Sequence, residues 1–187
     1  EFGVEGKNIR FGFNAVKSMG RPTITAIIEE RTNNGDFHSM QDFITRMAGV
    51  INKRTVEHLI LAGAFDTFGN TRRGMMNVYE RMIDSAVKQN KDAISGQMSL
   101  FDFVSEEDKQ SLEMRVPDIQ EFEKEDLLER EKEVLGVYVT GHPLDEYTGM
   151  WEKHISARST DFLIDEETGQ AKLMNGSKQT IGGLISN

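Results

Sequence analysis

The chain has 187 residues and no cysteine, so neither disulfides nor thiolate metal sites can hold it together, while its length is enough for one or two domains with a real core. No apolar run reaches membrane-spanning length and no cleavable signal pattern is present, so a helical span and a membrane partner are excluded and a soluble, cytoplasmic protein is expected. The net charge of −9 argues against a polyanion partner only until its distribution is read: residues 1–101 carry 13 Lys+Arg against 11 Asp+Glu, residues 102–133 carry 5 against 13, and residues 134–187 carry 4 against 7. An acidic stretch several Debye lengths from a basic face leaves that face free to meet nucleic acid.

In chain order, Ile9, Phe13, Val16 and Met19 are spaced for one face of a helix over Ile9–Lys17. Gly20 gives a turn, and Pro22 suits the first turn of a second helix that Ile24, Ile27 and Ile28 carry to Arg31. Asn33-Asn34-Gly35 is a loop, and Ser39 is a natural N-cap for a short helix through Met40, Phe43, Ile44 and Met47. A second tight connection spans Ala48 to Asn52, where Asn52 can take the left-handed conformation; a helix over Lys53–Ala62 follows, stopped by Gly63. The pattern of helix, tight turn and helix thus occurs twice.

From Thr71 to about Lys88 a longer helix is predicted, its methionines read as core fillers rather than ligands. After a polar linker and an acidic run, Leu127, Leu128, Val134, Leu135, Tyr138 and Val139 return to helical spacing, ended by Thr140-Gly141-His142-Pro143. One more short helix is expected around Tyr147, Met150 and Trp151. Beyond it, turns at Gly169-Gln170 and Asn175-Gly176 flank strand-like pieces. The fold class expected is mainly α, with a β domain beginning near the end. Glu1 in place of an initiator methionine, and a strand-like run from Ile181 to Asn187, suggest a piece of a longer protein.

No phosphate-cradling glycine loop, His-Glu-x-x-His or nucleophile elbow occurs, and His38, His58, His142 and His154 lack ligand spacing. The carboxylates between Asp102 and Glu133 read as a solvated face, so neither a catalytic nor a metal-binding residue is assigned. The paired turns are more informative. A tight connection between helices turns successive N–H groups outward beside a helix N-terminus, which suits phosphate. Arg21, Thr23, Lys53 and Arg54 stand beside them to add charge-assisted contacts. Such contacts read backbone rather than bases, so binding is expected to be sequence-independent and salt-sensitive. The competing reading makes both turns simple connections inside a bundle. Gln97-Met98-Ser99-Leu100-Phe101 has two readings as well: a docking peptide whose amide and Leu-Phe pair fill a pocket, or a piece of amphipathic core.

Ile24 to Arg31, Gly35-Asp36-Phe37, Asp42-Phe43 and Asn52-Lys53-Arg54 with Leu59 together resemble a tandem helix-hairpin-helix unit. In wider order, Ile9-Arg10-Phe11-Gly12, Ala15-Val16-Lys17, Ala62-Gly63-Ala64-Phe65-Asp66, Gln97 to Phe101, Glu131 to Gly136 and Thr140 to Asp145 resemble the bacterial DNA polymerase III alpha-subunit family, of the type without a built-in exonuclease domain. The resemblance implies four parts: the end of the fingers and a tandem helix-hairpin-helix unit at 1–88, a linker with an internal clamp-binding peptide at 89–120, a helical segment at 121–156, and a connection to the start of an oligonucleotide-binding (OB-like) fold at 157–187. It implies a first DNA-binding hairpin of Ser18, Met19, Gly20, Arg21 and Thr23, and a second of Ile51, Asn52, Lys53 and Arg54. Gln97, Met98, Ser99, Leu100 and Phe101 would bind the clamp. Ser18 stands where the family usually has glycine, and Pro22 removes one N–H.

Implied partners are duplex DNA, the sliding clamp (beta subunit) and, through the parent protein, other replisome subunits. The implied function is sequence-independent backbone binding and clamp docking in a DNA-directed DNA polymerase. No cofactor is expected in this segment, the Mg2+ and catalytic aspartates of such an enzyme belonging to another domain. Two alternatives are a helix-hairpin-helix module of a repair or recombination protein, and a protein-only adaptor.

Overall fold

The computed structural model describes residues 2–94, 114–166 and 169–184. Among them are six α-helices and one two-stranded sheet, in two compact units that divide after Thr140. The mainly helical expectation holds, but the beginning differs. Instead of a helix from Ile9, strands β1 (Gly3–Glu5) and β2 (Asn8–Arg10) pair antiparallel, Val4 opposite Ile9, and only a single 3-10 turn follows at Phe13–Ala15. Phe2, Val4, Ile9 and Phe11 also alternate at period two, and Gly6 at φ +63° makes the turn between them. The Phe2 and Phe11 rings meet edge to face at 5.2 Å. Glycines at 3, 6 and 12 weaken a helix at this point, so the strand period wins.

Helix α1 covers Arg21–Asn34, α2 Met40–Arg46 and α3 Lys53–Leu61. The last two start where their caps dictate. The Ser39 hydroxyl accepts the Asp42 N–H at 3.0 Å, and the Asn52 side-chain Oδ1 accepts the Thr55 N–H at 2.9 Å. Arg46 closes the loop between α1 and α2, donating to Glu30 at 2.8 Å and to the Gly35 carbonyl at 2.9 Å. Helix α4 (Arg72–Ile94) runs past the expected end at Lys88, because Lys88, Gln89 and Lys91 are good helix formers however polar. The core of this unit joins Ile27, Met40, Phe43, Ile44, Met47, Val56, Leu59, Ile60 and Phe65 to Met75, Tyr79 and Met82 of α4, the methionines filling space as expected.

Two carboxylates of the acidic run are structural rather than solvated. Residues 114–121 lie along α4, with Met114 and Val116 against the core and the Pro117 carbonyl seated where a Cβ on Gly74 would come within 2.7 Å. Glu121 then caps α4, its carboxylate accepting the N–H groups of Arg72 at 2.6 Å and Arg73 at 3.0 Å. In α5 (Lys124–Leu135), Glu131 is fully buried and bonded to buried Arg72 at 3.4 Å. Helix α5 stops at Gly136 with φ +78°, short of the predicted Thr140-Gly141 ending. The chain turns back because the other oxygen of Glu131 accepts the Val139 and Thr140 N–H groups at 2.7 and 2.9 Å.

The second unit holds α6 (Thr148–His154), the short helix expected around Trp151. Its Trp151 ring and the Ile155 side chain pack on Gly182, and the Thr180 N–H reaches the Ser156 hydroxyl at 2.9 Å. One isolated antiparallel bridge, Ile164 with Ala171, brackets the Gly169 turn. No regular strand forms among the described residues from 169 to 184, so the strands predicted beside Asn175-Gly176 and after Lys178 are not seen there.

Candidate nucleic-acid interface

The first turn lies between the 3-10 turn and α1. Ser18 takes φ +63°, the left-handed conformation that favours glycine, and Gly20 caps α1 in an extended conformation. Pro22 sits in the first turn of α1, where its missing N–H has no helical partner to lose. The N–H groups of Ser18, Gly20, Arg21 and Thr23 meet no acceptor among the described residues, while the Met19 N–H turns inward to the Val16 carbonyl at 3.3 Å. Four donors therefore remain, and the Arg21 side chain is exposed beside them. Relief of the left-handed strain makes Ser18→Gly an expected gain of about 0.5–1 kcal/mol, the smaller freedom of serine in the unfolded chain offsetting part of it. Thermal unfolding checks this, and a lower Tm for the variant would contradict it.

The second turn connects α2 to α3. Gly49, not Asn52, takes the left-handed conformation, at φ +92°. Asn52 is extended at φ −120° because its side chain is the α3 cap. The Val50 and Ile51 N–H groups close back on the Met47 carbonyl at 3.0 and 3.2 Å, and Ile51 is buried. Among the described residues the N–H groups of Asn52, Lys53 and Arg54 are left without acceptors. The two cations differ. Lys53 Nζ is held by Asp84 at 3.0 Å and Glu80 at 3.2 Å on α4, and those hydrogen bonds, Asp84 first, raise its pKa above the usual lysine value. Arg54 is exposed and pairs with no carboxylate among the described residues.

One helix links the two turns. His58, one helical turn beyond Arg54 on the same face of α3, places Nδ1 2.8 Å from the Lys17 carbonyl. From Lys53 to His58 is about 7.5 Å along the axis, so both sets of donors border the first turns of α3. Of the predicted residues, Ser18, Gly20, Arg21, Thr23, Asn52, Lys53 and Arg54 offer free donors or exposed side chains at these turns. Met19 and Ile51 instead hold the backbone shape. Gln97, Met98, Ser99, Leu100 and Phe101 lie outside the described residues. Sequence reasoning passed over His58, whose only signal was its place one turn after Arg54.

The helix-hairpin-helix motif family matches residues 1–75. The chain is 35% identical to the DNA polymerase III subunit alpha of Chlamydia pneumoniae over 177 residues, covering 87% of this chain and 14% of the relative. It is 35% identical to that of Vibrio cholerae over 178 residues, 95% of this chain and 15% of the relative. With the Saccharopolyspora erythraea protein of the same name the identity is 31% over 197 aligned positions, spanning 100% of this chain and 16% of the relative. The chain thus carries a helix-hairpin-helix motif and is similar, over nearly all its length, to one segment of bacterial DNA polymerase III alpha subunits.

Proposed function

We propose that this chain is the duplex-gripping and clamp-docking segment of a bacterial replicative DNA polymerase. The observation that carries the DNA half is the pair of turns joined through α3, each with unpaired N–H groups and an exposed arginine. Phosphate oxygens accept from such donors whatever the base sequence, so the grip serves any template. The similarity to polymerase alpha subunits supports reading Gln97 to Phe101 as the peptide that docks on the sliding clamp. Held to an encircling ring, the enzyme would rebind locally after each dissociation, an effective-concentration gain that gives processive synthesis. In this reading the polymerase is cytoplasmic and the nucleotidyl transfer belongs to another part of it. Among the described residues no group of three or more His, Asp or Glu side chains is placed to hold a metal ion, and no step is assigned to Mg2+ here.

The test is a salt titration of binding to a random-sequence duplex. Arg54→Ala is expected to reduce the slope of log K against log salt by about 0.9, the value for one phosphate contact. Because Lys53 is already held by Asp84 and Glu80, Lys53→Ala is expected to change the slope less. Absence of duplex binding by the unaltered chain at low salt would favour the protein-only adaptor instead.

A further inference from the structure

Lys17 immediately precedes the strained Ser18, and its peptide groups are held from two directions. Its N–H donates to the Val134 carbonyl in the last turn of α5 at 2.9 Å, and its carbonyl lies 2.8 Å from His58 Nδ1. A carbonyl only accepts, so Nδ1 carries the proton in this contact, whether or not Nε2 is also protonated. The lysine side chain itself is exposed and takes no part in either bond. The Lys17 carbonyl and the Ser18 N–H belong to one planar peptide group, so a bond that fixes the first also fixes the direction of the second. That N–H is among those without an acceptor in the described residues, and a left-handed serine keeps its conformation only when its surroundings impose it.

We infer that His58 is the positioning residue of the first turn: by holding the Lys17 carbonyl it aims the Ser18 N–H at a phosphate of the duplex, and α5 braces the preceding peptide group through the Lys17 N–H. This rests on the DNA-binding reading and adds to it a side chain that touches no phosphate, on the helix that starts at the second turn. The two turns are then set relative to each other by one imidazole. An asparagine at position 58 places an amide N–H near the position of Nδ1, whereas leucine fills similar space without a donor.

The experiment measures affinity and salt slope of the full chain for a random-sequence duplex by fluorescence anisotropy, for the unaltered protein, His58→Leu and His58→Asn, alongside their thermal unfolding. The expected result is roughly tenfold weaker binding by His58→Leu, with a salt slope smaller by about 0.9. His58→Asn should restore both to within about twofold, since it keeps a donor to the Lys17 carbonyl. Loss of packing alone would weaken His58→Asn, the smaller side chain, at least as much as His58→Leu. Unchanged binding by His58→Leu, or failure of His58→Asn to restore it, overturns the inference while duplex binding by the unaltered chain leaves the DNA reading standing. No duplex binding by the unaltered chain overturns that reading and this inference together.

Discussion

Replacing Arg72 with alanine is expected to destabilise the first unit by about 3–5 kcal/mol, the cost of removing one partner of a buried ion pair. The guanidinium makes three kinds of bond at once. It grips both oxygens of Asp66 at 3.0 and 2.7 Å, donates to the Leu61 carbonyl at 2.9 Å and meets Glu131 at 3.4 Å. Burial alone would lower its pKa, but Asp66 and then Glu131 more than offset that and hold the cation. Gly63, at φ +76°, leaves room for it, since a Cβ there would overlap the guanidinium. Alanine at 72 would leave Glu131 buried, with its charge facing only the Val139 and Thr140 N–H groups and the Thr140 hydroxyl. Tm should fall by about 10 °C. Denaturant unfolding checks the magnitude, and a loss under about 1 kcal/mol, the worth of a surface pair, would mean that the cluster is hydrated in solution.

The second large effect concerns Leu100 and Phe101. Changing both to alanine is expected to weaken binding to a bacterial sliding clamp by roughly 100-fold or more, because a few buried anchors carry most of the energy of a docked peptide. Calorimetric titration of the full chain with the clamp measures it. The same variant should bind duplex as the unaltered chain does, since the changes lie outside the turns along α3. Clamp binding that survives both changes would remove this peptide from the proposed function. No clamp binding by the unaltered chain, with duplex binding intact, would favour the repair or recombination module.

What was legible in the sequence was whatever local chemistry decides. Ser39 and Asn52 cap helices through bonds three residues away, so α2, the second turn and α3 were predictable from neighbours alone. The start was misread because Ile9, Phe13 and Val16 satisfy a helical period while Phe2, Val4, Ile9 and Phe11 satisfy a strand period, and pairing across Gly6 decided between them. Glu121 and Glu131 looked like solvated charge because their partners lie far off in sequence: Arg72 is 49 residues from the first and 59 from the second. Periodicity cannot register such pairs. In the site, the turns and their cations were readable from spacing. What was not readable was that acidic residues on α4 already hold Lys53 while Arg54 stands free of carboxylates among the described residues, a difference that only packing creates.

The strap formed by residues 114–121 ties α4 back onto itself. The chain leaves α4 at its far end and comes back onto the same helix, reaching its first turn at Glu121. The strap thus belongs to the same folded unit as the helix it lies on, tied to it by the Glu121 carboxylate at Arg72 and Arg73. Fraying of the first turn of α4 and release of the strap are therefore one event, since a single side chain caps the one and anchors the other.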